Sequence, residues 1–181
     1  MARGIGVTAN FTVRVASLDD ADAVGALLRA SYPDLLAGAY PDDLLAAALP
    51  FMTRANPRLL RSGSYYLAEA ADGALAGCGG WTLERPGKPD DPIDPALGHI
   101  RHFATHPGWV RRGVARALLD RCIAEARAAG VQRLECYSTL GGEPFYHALG
   151  FASLETFTVP MGEGVALPSV RMIRLIADQA R

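Results

Sequence analysis

The sequence has few cysteines, almost no excess charge and no apolar run long enough to span a bilayer. Its three cysteines, Cys78, Cys122 and Cys136, are odd in number, lie far apart and sit within apolar patterns. A disulfide framework needs paired cysteines in an oxidising compartment, so these are read as buried reduced thiols of a cytoplasmic protein. The formal net charge of −1 speaks against the strongly basic face with which dedicated nucleic-acid binders hold phosphates. The apolar stretch "LLAAALPFM" is too short for a membrane span and contains Pro50. The opening "MARGIGVTANF" lacks the apolar core of a signal peptide. No internal repeat and no dividing linker is visible, so one domain over residues 1–181 is expected, with neither nucleic acid nor membrane as partner.

A chain of 181 residues can bury roughly 70% of its extended-chain surface. Half of it is hydrophobic and a fifth is charged, a globular composition. "FTVRVA" alternates and is β-branched, as a first strand should be. Ser17 to Asp20 offer caps to a helix in which Val24, Leu27 and Leu28 fall at helical spacing. "DDLLAAALPFMTR" reads as a second helix with two acids in its first turn. "SYYLAEA" and "ALAGCGGWTLE", joined by "ADG", read as a hairpin. "RPGKPDDPIDPALG" is a loop by composition.

The segment from Gly98 carries more information. "HIRHFATH" reads as a strand ended by Pro107 and Gly108, and a helix runs from Gly113 to a C-terminal cap at Gly130. Leu118, Leu119, Cys122, Ile123 and Ala126 form its buried stripe, with Arg121 and Glu125 as a surface pair. "QRLECYS" is a further strand, "GEPFYHALG" a short helix closed by Gly150, and "FASLETFTV" and "PSVRMIRLI" complete the sheet. Arg111 and Arg112 stand directly before the helix, where the helix dipole already favours negative charge. Two cations at that point make sense if an anion is bound there. A strand, a glycine turn and a helix start expose several unpaired N–H groups at one place, and phosphates bind such places without a particular side chain. Ala115 keeps the first turn small.

"HFATHPGWVRRGVARALL", followed by "PFYHALGF", resembles the GNAT superfamily of acyl-CoA-dependent N-acyltransferases. The family's turn pattern falls on Val110, Arg111, Arg112, Gly113, Val114 and Ala115, and its second motif on Phe145, Tyr146, Leu149, Gly150 and Phe151. Val110 stands where the family usually has Gln or Arg, and Thr139 where many members have an Asn that contacts the cofactor. The resemblance implies an α/β (α+β) fold with a mixed, mostly antiparallel sheet of six to seven strands flanked by helices. It also implies acetyl-CoA as acyl donor, no metal, an amine acceptor and a possible homodimer. The cofactor would be held by Val110 to Arg116, by Thr139 and Tyr146, and by backbone N–H groups around Phe103, Ala104 and Thr105 that polarise the thioester carbonyl. Tyr146 would be the general acid.

The chemistry also follows from the residue types. An alkyl ammonium has a pKa of about 10.4, so it must lose a proton before attacking a thioester. His99 aligns with the strand glutamate that serves some family members as base, and His102 lies on the same strand. Strict alternation would put these two on opposite faces. Glu84 is a third candidate. A phenol near pKa 10 can protonate the departing thiolate. His99, His102 and His106 could be mistaken for a metal set, but alternation parts the first two and no cysteine or carboxylate completes it. A non-catalytic acyl-CoA sensor is the alternative reading. The fold that the resemblance implies builds its acceptor side from the early helices, the hairpin loop and the last strands, here including Tyr32, Tyr40, Asp42, Asp43, Glu84 and Ser169, whose acids would mildly favour a cationic amine.

Overall fold

The computed structural model describes residues 10–177. The opening segment 1–9 and residues 178–181 lie outside the described residues, and with them the reading of the N-terminus and the outer limits of the expected domain. Seven strands form one sheet in the order β1-β2-β3-β4-β5-β7-β6. They are β1 (Phe11–Val15), β2 (Tyr65–Ala70), β3 (Leu75–Thr82), β4 (Leu97–Thr105), β5 (Arg133–Thr139), β6 (Ala152–Gly162) and β7 (Val165–Leu175). The helices are α1 (Ala21–Leu36), α2 (Asp42–Met52), α3 (Pro57–Leu60), α4 (Val114–Ala128) and α5 (Glu143–Ala148). Every strand pair is antiparallel except β4 and β5, which are parallel. Parallel neighbours need a long crossover, and α4 supplies it.

The helices cover opposite faces of the sheet. Leu118, Leu119 and Cys122 of α4 pack on Leu134, Cys136 and Met172. On the other face Val24, Leu28 and Leu36 of α1 pack with Leu67, Cys78 and Ala104. The whole expected α4 stripe is buried: Leu118, Leu119, Cys122 and Ala126 have no exposed surface and Ile123 is 6% exposed, and Val114 extends the buried face into the first turn. All three cysteines are free and buried. Burial pushes the Cys78 thiol up to about 12. α4 lies close to β3 because Gly77 has no side chain: a Cβ there would come within 2.6 Å of Val114 and 2.9 Å of the Ala104 carbonyl.

Three local differences from the sequence reading have physical causes. α1 continues through Pro33 to Leu36, because the proline removes one N–H while the apolar face it carries still has a core to meet. α3 goes unread in the sequence; Pro57 opens it and the Asn56 side chain accepts from the Arg58 N–H at 2.9 Å. The β6–β7 hairpin is longer than its prolines suggest. Pro160 and Pro168 stand within the ladder, opposite Ala166 and Thr158, and Glu163 and Gly164 turn the chain with φ of 51° and 78°, the paired positive values of a tight hairpin turn.

A further difference bears on the site. Cys78 pairs with Ala104, but Gly80 pairs with Arg101. β4 therefore carries one extra residue, and His102 takes a φ of 53°. Such a bulge re-aims side chains. The expected separation of His99 and His102 onto opposite faces fails for this reason. His102 stacks on Tyr32 of α1, and His99 lies opposite Glu135, on the face away from the Leu134 and Cys136 side chains that meet α4.

Candidate active site

β4 and β5 pair only from Leu97 with Arg133 to His99 with Glu135. Past that point neither strand has the other as partner, although β4 runs on to Thr105 and β5 to Thr139. The gap between them is a cleft of about 720 Å³, with Ile100 to Thr105 on one wall and Cys136 to Thr139 on the other. That volume suits a cofactor-sized ligand. The β5-facing edge of β4 has no strand partner there, so its backbone groups are open to whatever enters.

One end of the cleft is the start of α4. Gly113 precedes the helix with a φ of 81°, and Arg111 has a φ of 62°. No side chain caps the helix and no acid lies in its first turn. The first helical bond here runs from the Ala117 N–H to the Gly113 carbonyl at 2.9 Å, which leaves the N–H groups of Val114, Ala115 and Arg116 without intrahelical acceptors. Val110, Arg111, Gly113, Val114, Ala115 and Arg116 all line the cleft. Arg112 does not: its guanidinium lies 5.2 Å over the Trp109 ring, and that ring meets Phe11 edge-on at 6.2 Å. The two arginines that look equivalent in sequence thus separate into one facing the cleft and one bracing the turn.

Tyr146 comes to the cleft from α5. Its ring stands edge-on to Phe145 at 5.0 Å and to Phe151 at 5.3 Å, and only 8% of the residue is exposed. Burial raises its phenol well above the ordinary value, so it stays protonated and able to donate. Phe103, Ala104 and Thr105 line the β4 wall. Thr139 lines the opposite wall, but its Oγ1 accepts from the Gly142 N–H at 3.2 Å and so caps the turn leading to α5.

The three candidate proton acceptors fall in different places. His99 is 5% exposed and is absent from the cleft walls; its Nδ1 lies 3.2 Å from Glu135 Oε2. Glu135 is also 2.7 Å from Arg171 Nε; burial pushes its carboxyl up, but its contacts with His99 and Arg171 outweigh this and hold it below the ordinary range. Glu84 lies past the end of β3, 3.2 Å from Arg58, on a second cavity. His102 does line the cleft. Its Nε2 is 2.8 Å from the Met52 carbonyl; a carbonyl only accepts, so Nε2 carries the proton and Nδ1 keeps its lone pair. Burial lowers its pKa below the ordinary value. The sequence offers His102 as a candidate by its place on the strand, but its orientation into the cleft depends on the bulge, which the sequence does not record. The three histidines do not converge: His106 Nδ1 accepts from the Gly108 N–H at 3.1 Å, and the described residues contain no cluster fit for a metal.

The other end of the cleft is walled by α1, α2 and the β6–β7 hairpin. Tyr32 lines it and donates to the Phe103 carbonyl at 3.1 Å; Ser169 lines it too, its Oγ turned to the Leu167 carbonyl at 3.2 Å. Tyr40 instead ties α2 to the sheet, donating to the Pro168 carbonyl and accepting from the Leu140 N–H, each at 2.8 Å. Asp42 and Asp43 are exposed in the first turn of α2. The expected acidic acceptor wall is therefore not formed: among the described residues no Asp or Glu lines the cleft. Leu35, Phe51, Met161 and Val159 do, and of these the hairpin residues come from a strand pair that sequence reading had ended too early.

Residues 23–151 match the model of the acetyltransferase (GNAT) family. The chain belongs to that family. GNAT proteins of known structure share its fold. A GCN5-related N-acetyltransferase from Rhodopseudomonas palustris superposes with a TM-score of 0.73 at 22% identity, over 95% of this chain and 99% of that one. PaiA N-acetyltransferase from Thermoplasma acidophilum, solved with coenzyme A, gives 0.69 at 16% identity, over 92% and 99%. YncA from Salmonella typhimurium, solved with its cofactor acetyl-CoA, gives 0.60 at 20% identity, over 96% and 98%. No curated protein sequence matches significantly.

Proposed function

We propose that this GNAT protein transfers the acetyl group of acetyl-CoA to a primary amine of a small molecule or peptide, by direct attack within a ternary complex. One observation carries the reading: a single cleft joins the uncapped N-terminus of α4 to the phenol of Tyr146 and the free Nδ1 of His102. The open N–H groups of Val114, Ala115 and Arg116, with the Arg111 and Arg116 charges, hold the pyrophosphate. The backbone around Phe103 to Thr105 polarises the thioester carbonyl. The amine nitrogen forms the new C–N bond as the C–S bond breaks. His102 Nδ1 takes the proton the amine gives up, and Tyr146 donates one to the departing thiolate. His102 takes this role over His99 because it faces the cleft. Thr139 positions α5 through its cap. The reaction so written needs no metal. A cytoplasmic location and a homodimer belong to the same reading, the latter supported by the exposed edge strand β6.

A thermal melt tests the donor. At a hundredfold excess over its dissociation constant acetyl-CoA should stabilise the fold by about 2.7 kcal/mol, and free acetate should not. Consumption of acetyl-CoA with an amine panel then separates an enzyme from an acyl-CoA sensor. A melt unchanged by millimolar acetyl-CoA removes the donor assignment.

A further inference from the structure

The cleft carries three arginines and, among the described residues, no carboxylate. Arg111 and Arg116 stand at the start of α4, where a diphosphate accounts for them. Arg101 does not belong to that end. It lines the cleft and also the second cavity, together with Asn56 and Leu59 of the α3 region, so the two spaces meet at its side chain. Its Nη1 donates to Thr82 Oγ1 at 2.8 Å and leans on the Glu84 carbonyl at 3.4 Å. Both partners are neutral. Among the described residues it has no salt bridge, whereas Arg14 lies between Asp20 and Glu69 and Arg171 between Glu135 and Glu155. Desolvation draws its pKa down, and the Glu84 carboxylate, which makes no salt bridge to it, offsets this only in part. A guanidinium held in place by neutral acceptors, with its remaining N–H groups free, is built to receive an anion.

We propose that the acceptor amine carries a carboxylate, which pairs with Arg101, and an apolar body, which lies among Leu35, Phe51, Val159 and Met161. The class is that of apolar amino acids and amines like them. One planar guanidinium matches one planar carboxylate by two parallel hydrogen bonds, and the neighbouring Arg58 and Arg85 are already paired with Glu84 and Asp91, which leaves no second unpaired cation among the described residues of that cavity for a phosphate dianion. The walls fit this class. An apolar enclosure stabilises a hydrocarbon side chain, and a cleft with cations and no acid repels polyamines and other polycationic acceptors. Arg101 stands two residues before Phe103 on β4, with the bulge at His102 between them, and all three line the cleft, so a carboxylate held there leaves the amine on the wall assigned to the thioester. The position of Arg101 also corrects the acceptor charge expected from Asp42, Asp43 and Glu84: the sign at this end of the cleft is positive.

This inference rests on the acyl-transfer reading, and the experiment separates the two. L-Phenylalanine, L-methionine, their amides and spermidine are titrated calorimetrically into the protein saturated with coenzyme A, and the same compounds are assayed for acetyl-CoA consumption. The free acids should bind roughly tenfold or more tightly than their amides, as a charge-assisted bidentate pair requires. Arg101→Gln should reduce that preference to less than about twofold, and Arg101→Lys should keep part of it. Coenzyme A titration of each variant confirms that the fold and the other end of the cleft are intact. Equal binding of acids and amides, tighter binding of spermidine, or a preference that survives Arg101→Gln overturns the proposal. Arg101-dependent binding of the acids without any acetylation would leave the anion site standing and remove the acyl-transfer reading; acetylation of all amines alike would do the reverse.

Discussion

The two ends of the cleft are built by different means. The end at α4 is made almost wholly of backbone: an uncapped helix start, a glycine at positive φ and an unpaired strand edge. Everything it needs lies within one stretch of chain, from β4 to the first turn of α4. The acceptor end is made of side chains from α1, α2, β4 and the β6–β7 hairpin, brought together only by the completed sheet. Backbone sites tolerate substitution of most side chains, so their sequence pattern is short and recurs. Side-chain sites have no such pattern, and the proposed acceptor preference rests on one.

The largest effect should come where the two ends meet. In Tyr146→Phe the ring still stacks between Phe145 and Phe151 while the donor is lost. Turnover should fall by roughly 10²–10⁴-fold with cofactor affinity and melting temperature almost unchanged. The loss should shrink for a thioester with a more acidic leaving thiol. Full turnover in Tyr146→Phe, measured where chemistry limits the rate, would make it a packing residue.

His102 should come next, and its signature is a pH profile. Its folded pKa lies below the ordinary 6.5, so it is neutral at higher pH and loses its base function only as pH falls through that lowered value. The turnover number at saturating acceptor should therefore hold through pH 6.5 and decline below it. His102→Asn suits the test because asparagine accepts a positive φ. That variant should lose the acidic limb together with roughly 10²-fold in rate. A limb that persists in the variant would pass the role to another group.

Gly113→Glu probes the α4 end alone. The residue sits at a φ of 81° with open space where a Cβ would stand, so the new side chain meets no protein atom but does meet the strain of the left-handed region, about 1–2 kcal/mol. Its carboxylate would lie beside the proposed pyrophosphate. Acetyl-CoA affinity should drop by about tenfold or more, read by calorimetry, with the acceptor preference for carboxylates unaltered. Undiminished affinity would mean that the anion is held elsewhere.

How much of this could be read beforehand follows from the same contrast. The elements of the sheet, their order along the chain, the α4 stripe and the glycine turn before α4 rest on local periodicity or on residues placed close together, and they are legible. That the Arg112 side chain lies over Trp109 is not legible, because nothing local tells that the ring turns beneath it. The orientation of His102, a candidate by its strand position alone, and the place of Arg101 are not legible for a second reason. A bulge in β4 is a mismatch between two strands, and no single strand records it. The hairpin tip, with Met161 at the acceptor wall, was cut short because prolines normally mark the end of a strand, whereas here they stand within the ladder.

The smallest effect should come from Asp42 and Asp43, and it decides whether the acceptor end is acidic or cationic. The resemblance implies an acceptor side built in part by the early helices, and so places these two acids there. In the structure they are exposed at the start of α2 and absent from the cleft. Carboxylates there complement the positive end of the helix, an effect of about 0.3–1 kcal/mol each that salt screens. Asp42→Asn and Asp43→Asn should thus lower the melting temperature slightly, less so at high ionic strength. They should leave the KM for every acceptor where it was, since neither charge faces the bound amine. A KM that rises severalfold for cationic amines alone would put a negative field back into the acceptor end, and the assignment of a carboxylate to Arg101 would then have to explain why that field does not repel it.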